Sequence, residues 1–324
     1  MPLSAFKVFS DFAQGTMTEV LQQQVELFNA ATRGGIVLRS ARNAGDFMDR
    51  THWAKIAGLV RRRNAYGTGT VSEVDLAQLA ETSVKVAAGT PPVRMDPAQF
   101  EWILKNPEEG GVVFGQQLAV DRMADMLDVG IAAVKSALSG QATNYLSAVA
   151  GNADFAGLNT ASAKLGDMAQ RIAVWVGHSK PIFDLWGNAI ANNDRLFTFG
   201  TINVSTDGFG RPIVMTDAPT LVDPDGAGTG PDVASYAMLG LVPGAILIED
   251  NGDYNANVET KNGGENIIRT MQAEWSYNVS VKGFAWDKTN GGKSPTTAAL
   301  ATGSNWDKYA TYHKDLAGVV YEVK

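Results

Sequence analysis

From Val120 the apolar positions Val120, Ala124, Leu127, Ile131, Val134 and Leu138 advance by 4, 3, 4, 3 and 4 residues, one face of an α-helix held for five turns. A helix over 112–139 is about 40 Å long at ~1.5 Å per residue, near the diameter of a small domain. A rod of that length makes its surroundings flat or elongated, although a helix of this kind standing alone is ordinarily a core helix. Asp121, Arg122, Asp125, Asp128 and Lys135 fall off the stripe.

The chain on either side of this helix has a different character. Residues 17–31 carry Leu21, Val25 and Phe28 on one stripe and stop at Gly34-Gly35, which predicts a short amphipathic helix. Residues 36–95 are poor in large apolar side chains and rich in Arg, Gly, Thr and Ser, with short alternations such as Ser83-Val84-Lys85-Val86. They read as an extended, strand-bearing excursion rather than a core. Pro91-Pro92, Asp96-Pro97 and Asn106-Pro107 punctuate its end. Beyond the long helix, a second amphipathic helix is expected over 161–176, with Leu165, Met168, Ile172 and Trp175 on its stripe, and a third over 182–191. After Asn193 the period shifts toward two and glycine becomes frequent. Strands are expected at 197–204, 211–216, 245–248, 275–286 and 319–323, with a loop at 222–232.

Composition narrows the function. At 324 residues the chain is long enough for about two domains. It has no cysteine, which excludes disulfides, thiolate catalysis and cysteine-ligated metal. His52, His178 and His313 lack the spacing of a helical zinc pair, and no phosphate-loop, nucleophile-elbow or dinucleotide motif is present. Asp223, Asp225 and Asp232, or Asp250 with Asp253, offer oxygen ligands without EF-hand spacing. The expectation is a non-enzyme without cofactor or metal. No apolar run is long enough to span a bilayer and no signal peptide is visible, so no membrane partner is expected and the protein should stay in the cytoplasm where it is made.

A net charge of −7 argues against general affinity for nucleic acid. That average hides an asymmetry. Between Arg33 and Arg63 lie eight Lys/Arg, including Arg39, Arg42, Arg61, Arg62 and Arg63, against Asp46 and Asp49. Between Arg211 and Glu265 nine acids face Arg211 and Lys261. The two stretches can pair within a subunit, pair between copies, or remain solvated. Arg61, Arg62 and Arg63, together with Arg39 and Arg42, are the candidate contacts to an adjacent copy, because consecutive arginines repel one another and favour an anionic partner.

The order of parts resembles the Hong Kong 97 capsid family of tailed bacteriophages. Gly210-Arg211-Pro212-Ile213-Val214-Met215-Thr216-Asp217 is similar to a strand in the family's axial region. Trp175-Val176-Gly177-His178-Ser179 is similar to a helix end, and the run from Glu274 to Trp286 to a late strand. The resemblance implies an α+β fold with an N-terminal arm (1–35), an extended E-loop (36–95), a peripheral domain with a spine helix (96–195), an axial domain (196–268) and return strands (269–324). It implies a major capsid protein that self-assembles through hexamers and pentamers into an icosahedral shell around double-stranded DNA, without sequence-specific contacts, after assembly in the host cytoplasm. The chain departs from the founding member in lacking a long, charged, helical N-terminal extension, which implies a separate scaffolding protein beside the portal. Some members cross-link through an E-loop lysine, and Lys55 and Lys85 lie in the corresponding segment. An encapsulin-like compartment shares the fold, and a tail or decoration protein is a further alternative.

Overall fold

The computed structural model describes residues 2–56, 60–95, 101–102, 105–148, 151–187, 197–199, 202–206, 210–224, 234–262 and 267–324. In chain order its elements are α1 (Pro2–Ala31), β1 (Ile36–Ser40), β2 (Phe47–Trp53), β3 (Gln78–Gly89), β4 (Val93–Met95), α2 (Pro107–Ser139), β5 (Tyr145–Ala148), α3 (Phe155–Ala163), β6 (Val174–Gly177) and α4 (Ser179–Gly187). They continue with β7 (Phe197–Phe199), β8 (Ile202–Thr206), β9 (Pro212–Met215), β10 (Val222–Asp223), β11 (Ser235–Leu241), β12 (Ile246–Asp250), β13 (Asn255–Lys261) and β14 (Ile268–Val281). The last elements are β15 (Phe284–Trp286), α5 (Thr297–Leu300), β16 (Trp306–Lys308) and β17 (Gly318–Val323). The fold is mixed α+β.

The long helix is α2, started by Pro107 and by Glu108 and Glu109 against its N-terminal dipole. Its buried face differs from the expected stripe in the first half. Val120 and Ala124 are exposed, while Leu118, Ala119, Arg122, Met123 and Met126 are buried; the two stripes merge at Ile131, Val134 and Leu138. A one-residue step turns a helix by about 100°, and the 4-3 spacing of valine and alanine mimics a core face that Met and Leu occupy.

What covers that face is α1, which begins at Pro2 and not near residue 17, so the expectation of a short N-terminal helix is corrected. Phe9, Ala13, Met17, Leu21 and Phe28 are its buried residues, mostly four apart. They settle where α2 has no side chains. A Cβ on Gly111 would lie 2.7 Å from the Phe9 carbonyl oxygen, and one on Gly115 2.5 Å from that of Ala13. α1 ends where Gly34 takes φ +72° and its N–H returns to the Asn29 carbonyl at 3.1 Å.

Two sheets share one apolar core with α2. The first has the order β1-β12-β14-β3-β2. β14 is paired along both edges, by β12 and β13 on one side and by β3 and β4 on the other. The second has the order β5-β17-β11-β6-β9-β8-β7, with β10 also on β11. Residues 36–95 are therefore not wholly an excursion: Ile36, Leu38, Val84 and Val86 belong to the core. The expected helix over 161–176 divides instead into α3, a 3-10 turn at Gly166–Arg171 and β6. Gly166 at φ +57° breaks the helix, and Trp175 and Val176 are claimed by pairing with Gly240 and Leu239. The third helix starts at Ser179, and its expected last turn lies outside the described residues, as does the loop at 222–232 beyond residue 224.

Two glycines test the α1–α2 contact. Gly15, in mid-α1, faces open space, and a Cβ there would meet nothing within 4 Å. Gly15→Ala should raise stability by roughly 1 kcal/mol through helix propensity. Gly115→Ala, which gains the same propensity, should lower it by about 1–3 kcal/mol because Ala13 must move; urea denaturation of both variants checks the opposite signs. A second measurement concerns Asp125, which accepts from Tyr277 Oη at 2.7 Å. Burial, with Asp128 nearby, pushes its carboxyl above the ordinary 3.8, against the hydrogen bond's opposing effect. The folded state thus binds more protons than the unfolded one above that value, and stability falls as pH rises through the interval up to the folded pKa. Asp125→Asn, whose amide oxygen still accepts, should be more stable than the parent at pH 7 and lose that part of the pH dependence.

Candidate assembly surface

β2 and β3 form a hairpin whose register runs from Phe47 opposite Val84 to Trp53 opposite Gln78. Only the C-terminal half of β3, from Val84, is paired with β14. The rest extends the sheet past β14, paired with β2 and packed on β15. Its connection, residues 54–77, has no regular secondary structure among the described residues, and those from 60 onward are all exposed. Large apolar side chains stand in water there: Val60 is 91% and Tyr66 96% exposed, with Val71, Val74 and Leu76 also out. Arg61, Arg62 and Arg63 lie in this stretch, exposed and without an ion pair among the described residues.

β2 has no strand on its outer edge among the described residues. Side chains hold it instead. Asp46 meets Lys293 at 3.0 Å, Asp49 meets Lys288 at 2.7 Å, and Lys55 meets Asp315 at 3.6 Å. The hydrogen bonds from Lys288 and Thr82 hold the Asp49 carboxyl below the usual range. Arg50 Nη2 lies 2.6 Å from both carboxylate oxygens of Glu249.

Glu249 is the meeting point of the basic and acidic stretches. Its side chain is 1% exposed, and Arg39 donates to it through Nε at 2.9 Å and Nη2 at 2.5 Å. The parallel register sets this pair, because β1 places Arg39 opposite Glu249 and Ser40 opposite Asp250. For Arg39 the intrachain alternative is the one the structure contains. Arg42, just beyond β1, is exposed.

Asp250 is taken by Arg122 at 2.5 Å. Arg122 is 2% exposed and lies over the Trp275 ring at 5.4 Å; burial lowers its pKa, against the pull of Asp250 and Asp253. Sequence reasoning left it off the helix stripe. The available signal was its place among Leu118, Ala119, Met123 and Met126, a face that tolerates arginine once Asp250 neutralises it. Asp253 is held by Ser276, and no group of three potential metal ligands occurs among the described residues. The histidines are dispersed, His52 on Glu81 and stacked on Tyr309, His178 near Asp217.

Among the described residues, exposed acids without an ion pair occur on the strands and loops, among them Glu73 and Asp75 beyond the three arginines, and on the two long helices. Asp11, Glu19 and Glu26 on α1 and Glu108, Glu109 and Asp121 on α2 are exposed and make no ion pair among the described residues. The only cations of α1 and of residues 101–121 are Lys7 and Lys105. One subunit therefore offers an exposed segment in which three consecutive arginines and apolar side chains outweigh Glu73 and Asp75 and, separately, exposed acids on α1 and α2.

A model of the family described as "Gp13-like: Major capsid protein 13-like" matches residues 5–320. No curated protein sequence matches the chain. Among solved structures, the acidic stable capsid structure of Helicobacter pylori bacteriophage KHP30 aligns with a TM-score of 0.50 at 10% identity, over 89% of this chain and 86% of that one. The capsid of Ralstonia phage GP4 aligns at 0.49 and 10% identity, over 89% and 86%. The cyanophage Pam1 capsid asymmetric unit aligns at 0.48 and 12% identity, over 89% and 87%. The likeness to the KHP30 capsid is one of fold.

The two kinds of hairpin tether should differ in strength. Glu249→Gln leaves Arg50 half-buried without its counter-charge and should cost about 1–3 kcal/mol. Lys288→Ala removes an exposed pair and should cost at most about 1 kcal/mol. Equal costs in urea denaturation would show that burial of Glu249 is not what secures the hairpin.

Proposed function

Since the chain belongs to the Gp13-like family of major capsid proteins, we propose that it builds its shell by laying the hairpin tip of one subunit on the exposed acids of α1 and α2 in the next. The role is structural: this is a shell-forming subunit of a phage virion. The parts take the Hong Kong 97 arrangement, with an arm (1–35), an E-loop (36–95), a peripheral domain with α2 as spine (96–195), an axial domain (196–268) and return strands (269–324). Subunits group as hexamers and pentamers, assemble in the host cytoplasm with a separate scaffolding protein and a portal, enclose double-stranded DNA without reading its sequence, and turn over no substrate.

The observation that carries this reading is the exposed stretch 60–77. Val60 and Tyr66 are almost fully exposed and Val71, Val74 and Leu76 more than half exposed, and apolar side chains left in water along one segment mark an interaction site. Arg61, Arg62 and Arg63 supply the complementary charge for Asp11, Glu19, Glu26, Glu108, Glu109 and Asp121 of a neighbour. Each exposed pair contributes only about 0–1 kcal/mol, but a closed shell repeats it at every subunit.

Replacing Arg61, Arg62 and Arg63 together by Ala should leave the circular dichroism of the subunit unchanged and lower the yield of closed particles, increasingly as salt is raised. Glu108→Lys with Glu109→Lys should do the same from the other side of the contact. Particle yield and salt response equal to the parent in both variants would remove the tip and the helix acids from the assembly contact.

A further inference from the structure

Beneath the hairpin, between its distal half and the body of the subunit, lies a cleft of about 380 Å³ whose lining includes Arg50, His52, Lys55, Glu81, Lys282 and Asp315. Its charges do not balance. Arg39 and Arg50 share the single carboxylate of Glu249. Lys55 and Arg171 share that of Asp315, at 3.6 and 3.4 Å, the long end of ion pairing. Glu81 accepts from His52 Nε2 at 2.7 Å. Lys282, just past β14, makes no ion pair among the described residues; its Nζ donates to the Pro243 carbonyl oxygen at 2.9 Å. Of these, Arg50, Lys55 and Lys282 line the cleft with Glu81 and Asp315, while Arg39, Arg171 and Glu249 stand behind its wall; the whole group holds five permanent cations against three carboxylates, an excess of two positive charges before His52 is counted.

Burial, reinforced by Arg171, holds the Lys282 ammonium below the ordinary lysine range. Asp315 and Glu81 pull the other way without touching it; a partly buried ammonium that no carboxylate contacts is costly, and the cleft is large enough to admit an anion. We propose that this cleft binds a divalent oxyanion of the phosphate class, centred on Lys282, with Lys55 and Arg171 turning to it from Asp315. A dianion cancels the two uncompensated charges, whereas a monoanion leaves one. Bound there, it bridges Lys55 at the distal end of the hairpin to Lys282 and Arg171 on the body, and so fastens the hairpin at the end where the direct ion pairs are longest.

The test uses the full, unassembled chain, titrated with inorganic phosphate and with sodium chloride of equal ionic strength while Tm and binding heat are followed. Phosphate should raise Tm saturably and chloride should not. Lys282→Met and the more exposed Lys55→Met should each weaken phosphate binding roughly tenfold or more, as for loss of a charge-assisted hydrogen bond, with Lys282→Arg retaining it. Asp315→Asn, which removes the competing carboxylate, should tighten it. A short DNA duplex serves as the second probe. Competition between duplex and phosphate in the parent but not in Lys282→Met supports the site with a nucleic-acid phosphate as its source, and phosphate binding without competition supports it with the free ion. An equal response to chloride, or a phosphate response unchanged in both Met variants, overturns the proposal.

Discussion

The double-edged pairing of β14 is the constraint on which the first sheet and everything attached to it depend. A strand paired along both edges and buried for most of its length must satisfy its polar side chains internally. Ser276 donates to Asp253 and accepts from Asn251 Nδ2 at 2.9 Å, and Asn278 Nδ2 donates to Asn251 Oδ1 at 2.9 Å. The opposite face presents Trp275, Tyr277, Val279 and Val281 to the core. Through β12 it fixes β1 and so brings Arg39 to Glu249; through β3 it fixes the root of the hairpin and hence the place from which the arginine-bearing segment leaves. Leaving the Asn251–Asn278 pair half satisfied would strand a buried polar group, at about 1–3 kcal/mol, in the strand that anchors both β1 and the hairpin.

Much of this architecture was legible because local periodicity and punctuation agree with the tertiary structure. Gly34, Pro107 and the alternation around Val84 mark real boundaries. Two failures share one cause. The outward-facing Val120 and Ala124, and the helix read through Ile172 to Trp175, are segments whose apolar residues fit a helical period while distant partners decide their burial. The length of α1 was hidden because its packing surface is a set of glycines on another helix, and Gly110, Gly111 and Gly115 carry no hydrophobic signal of their own.

The candidate surface was legible by composition and not by geometry. A run of three arginines in an apolar-poor stretch predicts exposure, and Arg61, Arg62 and Arg63 are exposed. Charge counting could not tell Arg39 from Arg61, because the distinction rests on a parallel register between strands far apart in sequence. Nor could it find Arg122 or Lys282. Each is a single cation among apolar neighbours, and only the fold shows that the first meets Asp250 while the second meets no carboxylate among the described residues.

The pairing of Ile36 with Ile246, and of Arg39 with Glu249 at a separation of 210 residues, also sets a timetable for synthesis. At ~5–20 residues per second, β1 leaves the ribosome roughly 10–40 s before its partner strand exists. Contacts this distant in sequence form late and slow folding, whereas the β2–β3 hairpin closes from neighbouring chain. A lone two-stranded hairpin is at best marginally stable in water, so in a nascent subunit β2 and β3 wait for β14 and for Lys288, Lys293 and Asp315 to hold them. Chains cut short before β12 and β14 have no base at all, which couples addition to the shell to completion of the polypeptide.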